Sequence, residues 1–358
     1  MTTFSKVRVV GSGLIGTSIA LGLKRAGYEV AIEDEDPQAE AIAQSLINQA
    51  GEGAAPELIV IATPISTISH LVKEYGTRYP QSKVIDIGGL KSEVMAEIAF
   101  FTDIRERFCA THPMAGREIS GALAARGDLF EGRIWIYTPS LYTSRETIEV
   151  ALEVITALGA NPIRLEADEH DYAIAGVSHL PQIVSSLLSA SITSLEDLEI
   201  GLAGQGLKDV SRLAASNPEL WAPLLHANRE ANGKFLGEFK RLLDDLSTSL
   251  QNDDLRKTEE ILTVGRENHA RIPGKHGGKR RDYWFIPIVI DDRPGQLAKI
   301  FDACALVEAN VEDLSIEHTP GQETGLVTLA LSKADSEKVY LQLQKDGWKV
   351  HQPRESIG

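Results

Sequence analysis

Cysteine is scarce in this sequence, and long apolar runs are missing from it. The 358 residues include two cysteines, Cys109 and Cys304, which lie far apart along the chain. This number does not build a disulfide framework and is typical of proteins in a reducing cytosol. No apolar stretch reaches the roughly 18 residues of a membrane-spanning helix, and residues 1–8 lack the apolar segment of a signal peptide. We therefore expect a cytoplasmic protein that does not cross a membrane.

An excess of basic residues is also missing. The chain has 36 Lys and Arg against 51 Asp and Glu, which gives a formal net charge of −15 at pH 7. A negative surface repels phosphates and anionic lipids, so neither nucleic acid nor a membrane surface is an expected partner. A local basic pocket for a small anionic metabolite is still compatible with this charge.

The first part of the chain alternates short apolar runs with segments of helical spacing. Strands separated by helix-length segments indicate βαβ units and a parallel sheet. We predict an α/β domain of the Rossmann type over residues 1–166. Its predicted strands cover residues 7–10, 29–33, 58–62, 84–87, 108–111, 134–137 and 162–165.

The rest of the chain divides into three further segments. Leu, Ala and Ser recur at helical spacing through 171–264, which predicts an all-helical domain over 167–265. Its helices are apolar on more than one side, so we expect a second subunit to cover them in a homodimer. Residues 266–282, rich in Gly, Lys and Arg, are expected to be a flexible linker. Residues 283–358 show a βαββαβ order, typical of a small ferredoxin-like domain.

A glycine-rich motif, Gly-x-Gly-x-x-Gly, follows the first predicted strand and opens the first predicted helix. In this context the first glycine allows a tight turn, the second lets a pyrophosphate approach, and the third permits close helix–strand packing. An acid at the end of the second strand, Asp34, would accept a hydrogen bond from a ribose 2′-hydroxyl, so we predict NAD rather than NADP. The alternative is a glycine-rich turn without a ligand. The predicted cofactor residues here are Gly11, Ser12, Gly13, Leu14, Ile15, Gly16 and Asp34.

A histidine, His112, stands at the end of another predicted strand, where ligands of open α/β sheets bind. A neutral histidine can accept a proton near pH 7, although a single histidine is more often structural. Cys109 lies three residues earlier, but a cysteine inside a buried strand usually behaves as a small apolar residue. No third ligand stands at metal spacing, so we expect no metal site.

Four segments together resemble the prephenate/arogenate dehydrogenases of tyrosine biosynthesis with an appended ACT-type domain. The resemblance extends over nearly the whole chain. The segments are residues 11–16, His112-Pro113-Met114-Ala115-Gly116, Val177-Ser178-His179-Leu180-Pro181, and the ordered set Lys208, Arg212 and Trp221. It implies oxidation of prephenate to 4-hydroxyphenylpyruvate, or of arogenate to tyrosine, with hydride transfer to NAD and loss of CO₂. It also implies that His112 accepts the proton of the C4 hydroxyl.

The resemblance also implies a set of substrate-binding residues. Arg212 and Lys208 lie one helical turn apart and would hold a carboxylate, although an exposed basic helix face explains them equally simply. Their expected companions in the pocket are Ser178, His179, Trp221, Gln182 and Glu118, with Glu118 pairing with Arg212, and Thr63 would border the nicotinamide ribose. For Trp221 the alternative is a core aromatic residue, and for Ser178 and His179 it is a helix cap and a packed histidine.

Two positions depart from the family pattern. The family commonly has a serine, hydrogen-bonded to the catalytic histidine or the substrate hydroxyl, where this chain has Gly89. Ser92 is nearby, but its simplest explanation is an N-cap of the following helix. Several members carry a second histidine where this chain has Gln182, a position that bears on the substrate side chain. The choice between prephenate and arogenate therefore stays open.

The tail resembles ACT domains at its first strand–helix loop, residues 292–297. We expect an aromatic amino acid such as tyrosine to bind at Asp292, Pro294 and Gly295 and to inhibit the enzyme, unless the domain is a ligand-free dimerisation module. Two other functions remain alternatives for the whole chain. One is an NAD-dependent reductase of the β-hydroxyacid or imine type, with Lys208 in catalysis; the other is a non-enzymatic sensor of NAD and an amino acid.

Overall fold

The computed structural model describes residues 3–49, 55–115, 121–272, 283–318 and 324–355. The chain forms two compact units, Met1–Lys240 and Arg241–Gly358, and the longest helix runs through the boundary between them. This division differs from the predicted segments 1–166, 167–265, 266–282 and 283–358, because the sheet domain and most of the helical domain lie in one unit.

The first unit begins with a seven-stranded sheet flanked by helices. Its strands have the order β2-β1-β3-β4-β5-β6-β7. The elements are β1 (Lys6–Val10), α1 (Leu14–Arg25), β2 (Glu29–Glu33), α2 (Pro37–Leu46), β3 (Leu58–Ile61), α3 (Ile65–Arg78), β4 (Lys83–Asp86), α4 (Ser92–Ile98), β5 (Phe108–Pro113), β6 (Ile134–Thr138), α5 (Arg145–Ala157) and β7 (Asn161–Arg164). All seven predicted strands are present, within one or two residues of their predicted ends.

The sequence pattern predicts a parallel sheet, and this prediction is wrong for part of it. β1 to β5 run parallel, but β6 pairs antiparallel with β5, and β7 follows β6 in parallel. A parallel connection needs a crossover, usually a helix, whereas an antiparallel one does not. Residues 114–115 and 121–133, the described part of the β5–β6 connection, contain one 3₁₀ turn, Ala122–Ala124, and no crossover helix. The apolar runs in the sequence indicate where strands lie, but they do not indicate in which direction a strand runs in the sheet.

Two apolar cores cover the two faces of this sheet. Ile19 of α1 and Val154 of α5 belong to one core, and Ile68 of α3 and Val94 of α4 belong to the other. β3 is buried at all four of its positions, as expected for a strand covered on both faces. The sheet therefore forms a rigid platform, and the carboxyl ends of β1, β3, β4 and β5 meet at one edge.

Helices follow the sheet, as predicted. They are α6 (Ala167–Ile174), α7 (Leu180–Ser191), α8 (Asp197–Ile200), α9 (Gln205–Ser211), α10 (Pro218–Ala227) and α11 (Arg229–Gln251). One helix among the described residues, Ala167–Ser194, has the length and the apolar composition to cross a membrane, with a mean hydropathy of 1.2. A core helix of a globular protein passes the same test. The segment includes α6 and α7, which are joined by a π-helical turn at Ala175–His179.

The second unit contains α12 (Leu255–His269) and a small sheet domain. Its elements are β8 (Trp284–Asp291), α13 (Gln296–Leu306), β9 (Val311–His318), β10 (Thr324–Leu331), α14 (Lys333–Lys345), β11 (Lys349–Val350) and β12 (Arg354–Glu355). The sheet is antiparallel with the order β11-β8-β10-β9, and β12 also pairs with β8. The predicted βαββαβ order is present. Because α12 continues to His269, the predicted linker at 266–282 overlaps a helix at its start, and residues 273–282 lie outside the described part.

Candidate active site

The glycine-rich turn lies between β1 and α1. Gly11 has φ +103°, and a Cβ there would lie 2.3 Å from the carbonyl oxygen of Ala62. A Cβ on Gly16 would lie 2.0 Å from the carbonyl oxygen of Gly11, so both positions require glycine. At Gly13 a Cβ would meet no atom within 4 Å. The turn thus has an open surface at Gly13, at the N-terminus of α1, where a phosphate group is favoured.

Asp34 lies against this turn. Its carboxylate accepts hydrogen bonds from the Ser12 amide at 2.5 Å, from the Ser12 hydroxyl at 2.9 Å and from the Asp36 amide at 3.0 Å. Partial burial works to raise the pKa of Asp34, but these hydrogen bonds outweigh it and lower the pKa below its usual value. Thr63 borders the same turn, since its Cγ2 would lie 3.0 Å from a Cβ on Gly11. The structure therefore brings Ser12, Asp34 and Thr63 together around the loop.

His112 lies near the end of β5 and is hydrogen-bonded to a second histidine. Its Nδ1 is 2.9 Å from Nε2 of His170, and Nδ1 of His170 is 2.8 Å from Oδ1 of Asp171. His170 and Asp171 lie on α6 and are buried. Neither residue was among those predicted from the sequence. The pair His170-Asp171 just after a strand was a visible signal, but its proximity to His112 comes only from packing of α6 beside β5.

A buried ion pair, Lys91–Asp86, contacts the backbone next to His112 and the carboxylate of Asp171. Lys91 is fully buried, and its Nζ donates to Oδ2 of Asp86 at 2.5 Å and to the carbonyl oxygen of Thr111 at 2.7 Å. The Lys91 amide also donates to Oδ1 of Asp171 at 2.8 Å. Lys91 thereby connects the end of β4, the residue before His112 and the carboxylate behind His170.

Burial governs the protonation of His112. Desolvation first, and then the neighbouring His170 and Lys91, hold the pKa of His112 well below its ordinary value of 6.5. His112 is therefore neutral at pH 7. Burial works to raise the pKa of Asp171, but hydrogen bonds from His170, Ser92 and Lys91 lower it on balance. Asp171 is therefore a carboxylate.

Gly89, at the position where a serine is expected from the family pattern, lies beside His112. A Cβ on Gly89 would lie 4.0 Å from both Cε1 and Nε2 of His112, and 3.5 Å from Cδ2 of Leu224. The expectation for Ser92 is wrong, because Lys91 occupies the N-cap position of α4 and Ser92 is its first residue. The Ser92 amide, at 2.9 Å, and its hydroxyl both bond to Asp171. A carboxylate from α6 therefore caps α4.

His179 lies at the end of the π-helical turn. Its Nδ1 is 3.1 Å from Oδ1 of Asn232, and its ring lies edge-on to Trp221 with centroids 6.0 Å apart. Asn228 links this pair to the His112 group, because its amide nitrogen lies 3.4 Å from Nδ1 of His179 and donates to the carbonyl oxygen of Asp171 at 2.8 Å. π-helical turns inside α-helices are frequent at functional sites. Ser178 precedes His179 inside the same turn, which continues directly from α6 into α7, so Ser178 does not cap a helix start.

Gln182, one turn further on, is buried with a fixed orientation. Its Nε2 donates to the carbonyl oxygen of Leu213 at 2.9 Å. A backbone carbonyl only accepts hydrogen bonds, which assigns the nitrogen to this side and leaves Oε1 as an acceptor. Oε1 is buried and has no hydrogen-bond partner among the described residues.

The predicted basic residues occupy the surface of the first unit. Lys208 lies on α9 and Arg212 begins the 3₁₀ turn Arg212–Ala215, and both side chains are exposed in the single chain. This segment packs on α7 through Gln182 and Ser185, which bond to Leu213 and Ala214. Neither Lys208 nor Arg212 belongs to the His112–His170–Asp171 chain of hydrogen bonds. Glu118 lies outside the described residues.

Two further observations concern alternative chemistry. Burial raises the pKa of the Cys109 thiol to about 12, so Cys109 is not a thiolate nucleophile. Among the residues that the structure describes, no group of three or more His, Cys, Asp and Glu side chains could hold a metal ion.

In the small domain the predicted effector loop is exposed. Asp292 and Pro294 lie at the surface, and Gly295 has φ +86° before α13. Gln296, which follows Gly295, also lines a surface depression of about 680 Å³, together with Lys299 and Asp302 of α13, Gln342 of α14, and Trp348.

Two family models match this chain, and several known proteins are similar to it over most of their length. Residues 19–164 match the nucleotide-binding domain of prephenate dehydrogenase, and residues 166–264 match its dimerization domain. A prephenate dehydrogenase of Lactococcus lactis is 30% identical over 309 residues, which cover 82% of this chain and 85% of that protein. A probable prephenate dehydrogenase of Streptomyces niveus, NovF, is 29% identical over 95% of this chain and 98% of its own length.

A solved structure shows the same fold. The prephenate dehydrogenase of Aquifex aeolicus, crystallised with hydroxyphenyl propionate and NAD+, has a TM-score of 0.67 and 24% identity. The match covers 75% of this chain and 98% of that one. The His112 strand and the helices α6 to α11 lie inside the two matched regions, and the glycine-rich turn at residues 11–16 directly precedes the first of them. The chain belongs to the prephenate dehydrogenase family.

Proposed function

We propose that the protein is a cytoplasmic enzyme that oxidises and decarboxylates prephenate or arogenate with NAD. The observation that carries the proposal is a neutral histidine, His112, at the sheet edge that also bears the glycine-rich turn. Ligands of open α/β sheets bind at that edge. Membership of the family supports the reaction class, and the geometry of His112 supports a proton acceptor.

The residues of the glycine-rich turn suit a dinucleotide. Gly13 offers open space at the start of α1, and Asp34 stands beside the turn as a carboxylate that would accept the ribose 2′-hydroxyl and repel a 2′-phosphate. The related Aquifex aeolicus structure contains NAD+. When bound, NAD supplies the acceptor for the hydride from C4 of the substrate. Gly11, Ser12, Gly13, Leu14, Ile15, Gly16, Asp34 and Thr63 remain the proposed cofactor residues.

His112 removes the proton that the hydride transfer leaves behind. Its Nε2 lies on the side of Gly89, which has no side chain, and a substrate hydroxyl within about 3 Å of Nε2 would form the required hydrogen bond. Oxidation of C4 and loss of the ring carboxylate as CO₂ yield an aromatic phenol. Aromatisation provides much of the driving force, so the protein has to position the substrate and accept one proton.

Cations and polar groups on the helices bind the substrate in this proposal. Arg212 and Lys208, four residues apart, hold a carboxylate, with Glu118 as the proposed partner of Arg212. Ser178, His179 and Trp221 border the pocket. The Oε1 of Gln182, a buried acceptor, suits a donor on the substrate side chain, and the ammonium group of arogenate is a donor whereas the keto group of prephenate is not.

A side-by-side assay tests the proposed function. We expect a rise in absorbance at 340 nm when the protein is mixed with NAD and either prephenate or arogenate, and a much weaker rise with NADP. The ratio of kcat/KM for the two substrates then decides which one the enzyme prefers. No rise with either substrate would refute the proposal and favour a reductase of another type or a sensor.

Substitutions at two glycines test cofactor binding separately from folding. At Gly13 an added side chain meets open space, so Gly13→Val should keep the melting temperature while raising the Kd for NAD about tenfold or more, because the side chain occupies the phosphate position. At Gly16 even a Cβ meets the backbone of Gly11, so Gly16→Ala should destabilise the fold by about 1–3 kcal/mol. Calorimetric titration and thermal unfolding measure the two effects. Unchanged NAD affinity in Gly13→Val would contradict the proposed site.

A homodimer completes the proposed enzyme. Large apolar side chains on the helical segment are exposed in the single chain, among them Leu187, Leu198, Leu202 and Leu220. Exposed apolar patches of this kind mark protein–protein interfaces. A second copy of the chain, packed on the matched dimerization domain, would bury them.

The C-terminal domain is proposed to be an ACT-type sensor of tyrosine or another aromatic amino acid, at Asp292, Pro294 and Gly295. The βαββαβ sheet supports the fold, and Gly295, the exposed N-cap of α13, has a left-handed conformation that leaves the helix N-terminus accessible to a carboxylate. We expect tyrosine to inhibit the full-length enzyme but not a variant that ends at Ile272, provided that both show the same uninhibited kcat. Equal inhibition of both forms would assign the effect to the active site.

A further inference from the structure

A buried histidine and a carboxylate stand behind His112, on its Nδ1 side. We propose that His170 and Asp171 are positioning residues that hold His112 in the tautomer protonated at Nδ1, so that Nε2 is the proton acceptor. The proposal deepens the function proposed above, in which His112 removes the hydroxyl proton of the substrate.

Asp171 ends the chain of hydrogen bonds His112–His170–Asp171, and its carboxylate decides which atom donates in each bond. A carboxylate only accepts hydrogen bonds, so Oδ1 of Asp171 accepts one from the N–H at Nδ1 of His170 across 2.8 Å. With the ring proton of His170 on that side, its Nε2 carries a lone pair and accepts a hydrogen bond from the N–H at Nδ1 of His112 across 2.9 Å. The remaining nitrogen of His112, Nε2, is left with a lone pair. A hydrogen bond on one ring nitrogen commonly decides the role of the other in this way.

The two residues are held firmly enough to impose this arrangement. Asp171 accepts hydrogen bonds from the amides of Lys91 and Ser92, so its carboxylate cannot rotate away without uncapping α4. Its carbonyl oxygen is bonded to Asn228. His170 has no exposed surface, and water does not compete for its ring nitrogens.

The same chain stabilises the product of the proton transfer. The O–H bond of the substrate breaks, an N–H bond forms at Nε2, and His112 becomes an imidazolium whose Nδ1–H still donates to His170. This bond becomes charge-assisted and therefore stronger in the transition state. Because Gly89 offers no hydroxyl, His170 is the one side-chain hydrogen-bond partner of His112 among the described residues. The hydrogen bond at Nδ1 thus supplies the orientation of the His112 ring.

Two substitutions at one position separate positioning from packing. His170→Leu removes the acceptor, whereas the amide oxygen of His170→Gln can stand close to the position of Nε2 and accept from His112. We expect His170→Leu to lower kcat about 10- to 100-fold, the effect of one charge-assisted hydrogen bond, with the KM for NAD unchanged. His170→Gln should recover most of the lost kcat. Melting temperatures of both full-length variants control for folding.

A nuclear magnetic resonance measurement tests the tautomer without any turnover. With ¹⁵N-labelled histidine in the full-length protein, long-range ¹H–¹⁵N correlations should show the His112 proton on Nδ1 in the wild type and in His170→Gln, and a shift of population to Nε2 in His170→Leu. A wild-type proton on Nε2, or equal kcat in the two variants, would overturn the proposal. If the wild type oxidises neither substrate, the spectra still decide the tautomer, so the two proposals can fail separately.

Discussion

His112→Asn should lower kcat by about two to four orders of magnitude, the usual loss when a general base is removed. The amide nitrogen of asparagine can still donate toward His170, but asparagine places no basic nitrogen at the Nε2 position. The Kd for NAD should stay unchanged, because His112 does not belong to the glycine-rich turn. Steady-state kinetics with saturating NAD and a separate NAD titration measure both quantities.

His70→Asn is the matched control for this substitution. His70 lies on α3 with 79% of its side chain exposed, and its contact within the described structure is a 3.7 Å pair with Glu74. We expect wild-type kcat from this variant. If His112→Asn turns over substrate as fast as His70→Asn does, His112 is not the proton acceptor and the proposed mechanism fails.

Lys91→Met should lower the free energy of unfolding of the first unit by about 3–5 kcal/mol, because it leaves a buried carboxylate without its counter-ion. Both side chains of the Lys91–Asp86 pair have no exposed surface. The substitution also removes the donor for the carbonyl oxygen of Thr111, next to His112. Chemical denaturation followed by tryptophan fluorescence, with Trp135 buried in the sheet core, measures the loss.

Two variants make this prediction specific to the buried charge. Lys83→Met removes the same residue type from a 2.7 Å pair with Glu146, whose carboxylate side chain is 70% exposed, and should cost less than about 1 kcal/mol. The double variant Asp86→Asn/Lys91→Met removes both charges and keeps an acceptor oxygen for one of the two amides, Gly88 or Thr111, that donate to the Asp86 carboxylate. It should be more stable than Lys91→Met alone. Equal losses from Lys91→Met and Lys83→Met would show that the buried pair contributes no more than a surface pair.

The strands and the glycine-rich turn could be predicted because their causes are local. An apolar run bounded by Gly or Pro predicts a buried strand wherever it occurs, and the spacing of Gly11 and Gly16 reflects contacts between the turn and its neighbouring strand. The reversed direction of β6 and β7 could not be predicted in this way. The residues of β6 would be buried equally well in either direction, and the connection before it decides the direction.

The surroundings of His112 illustrate the same limit. Sequence position indicated that His112 ends a strand, and the family resemblance suggested its role. The partners that would orient it, His170 and Asp171, are 58 and 59 residues away, and no periodicity connects them. The cap of α4 was assigned to Ser92 because a local serine is the common solution, whereas the structure supplies Asp171 from another helix.

The sequence by itself determined the order of strands and helices, the turn that suits a dinucleotide and the family to which the chain belongs, because these depend on neighbours within a few residues or on motifs in a definite order. Only the tertiary structure decided which buried groups meet. The packing of α6 beside β5 and α4 places a carboxylate, two imidazoles and a lysine within hydrogen-bond distance of one another. Such buried polar groups must satisfy one another because water does not reach them, and that requirement acts in space rather than along the chain.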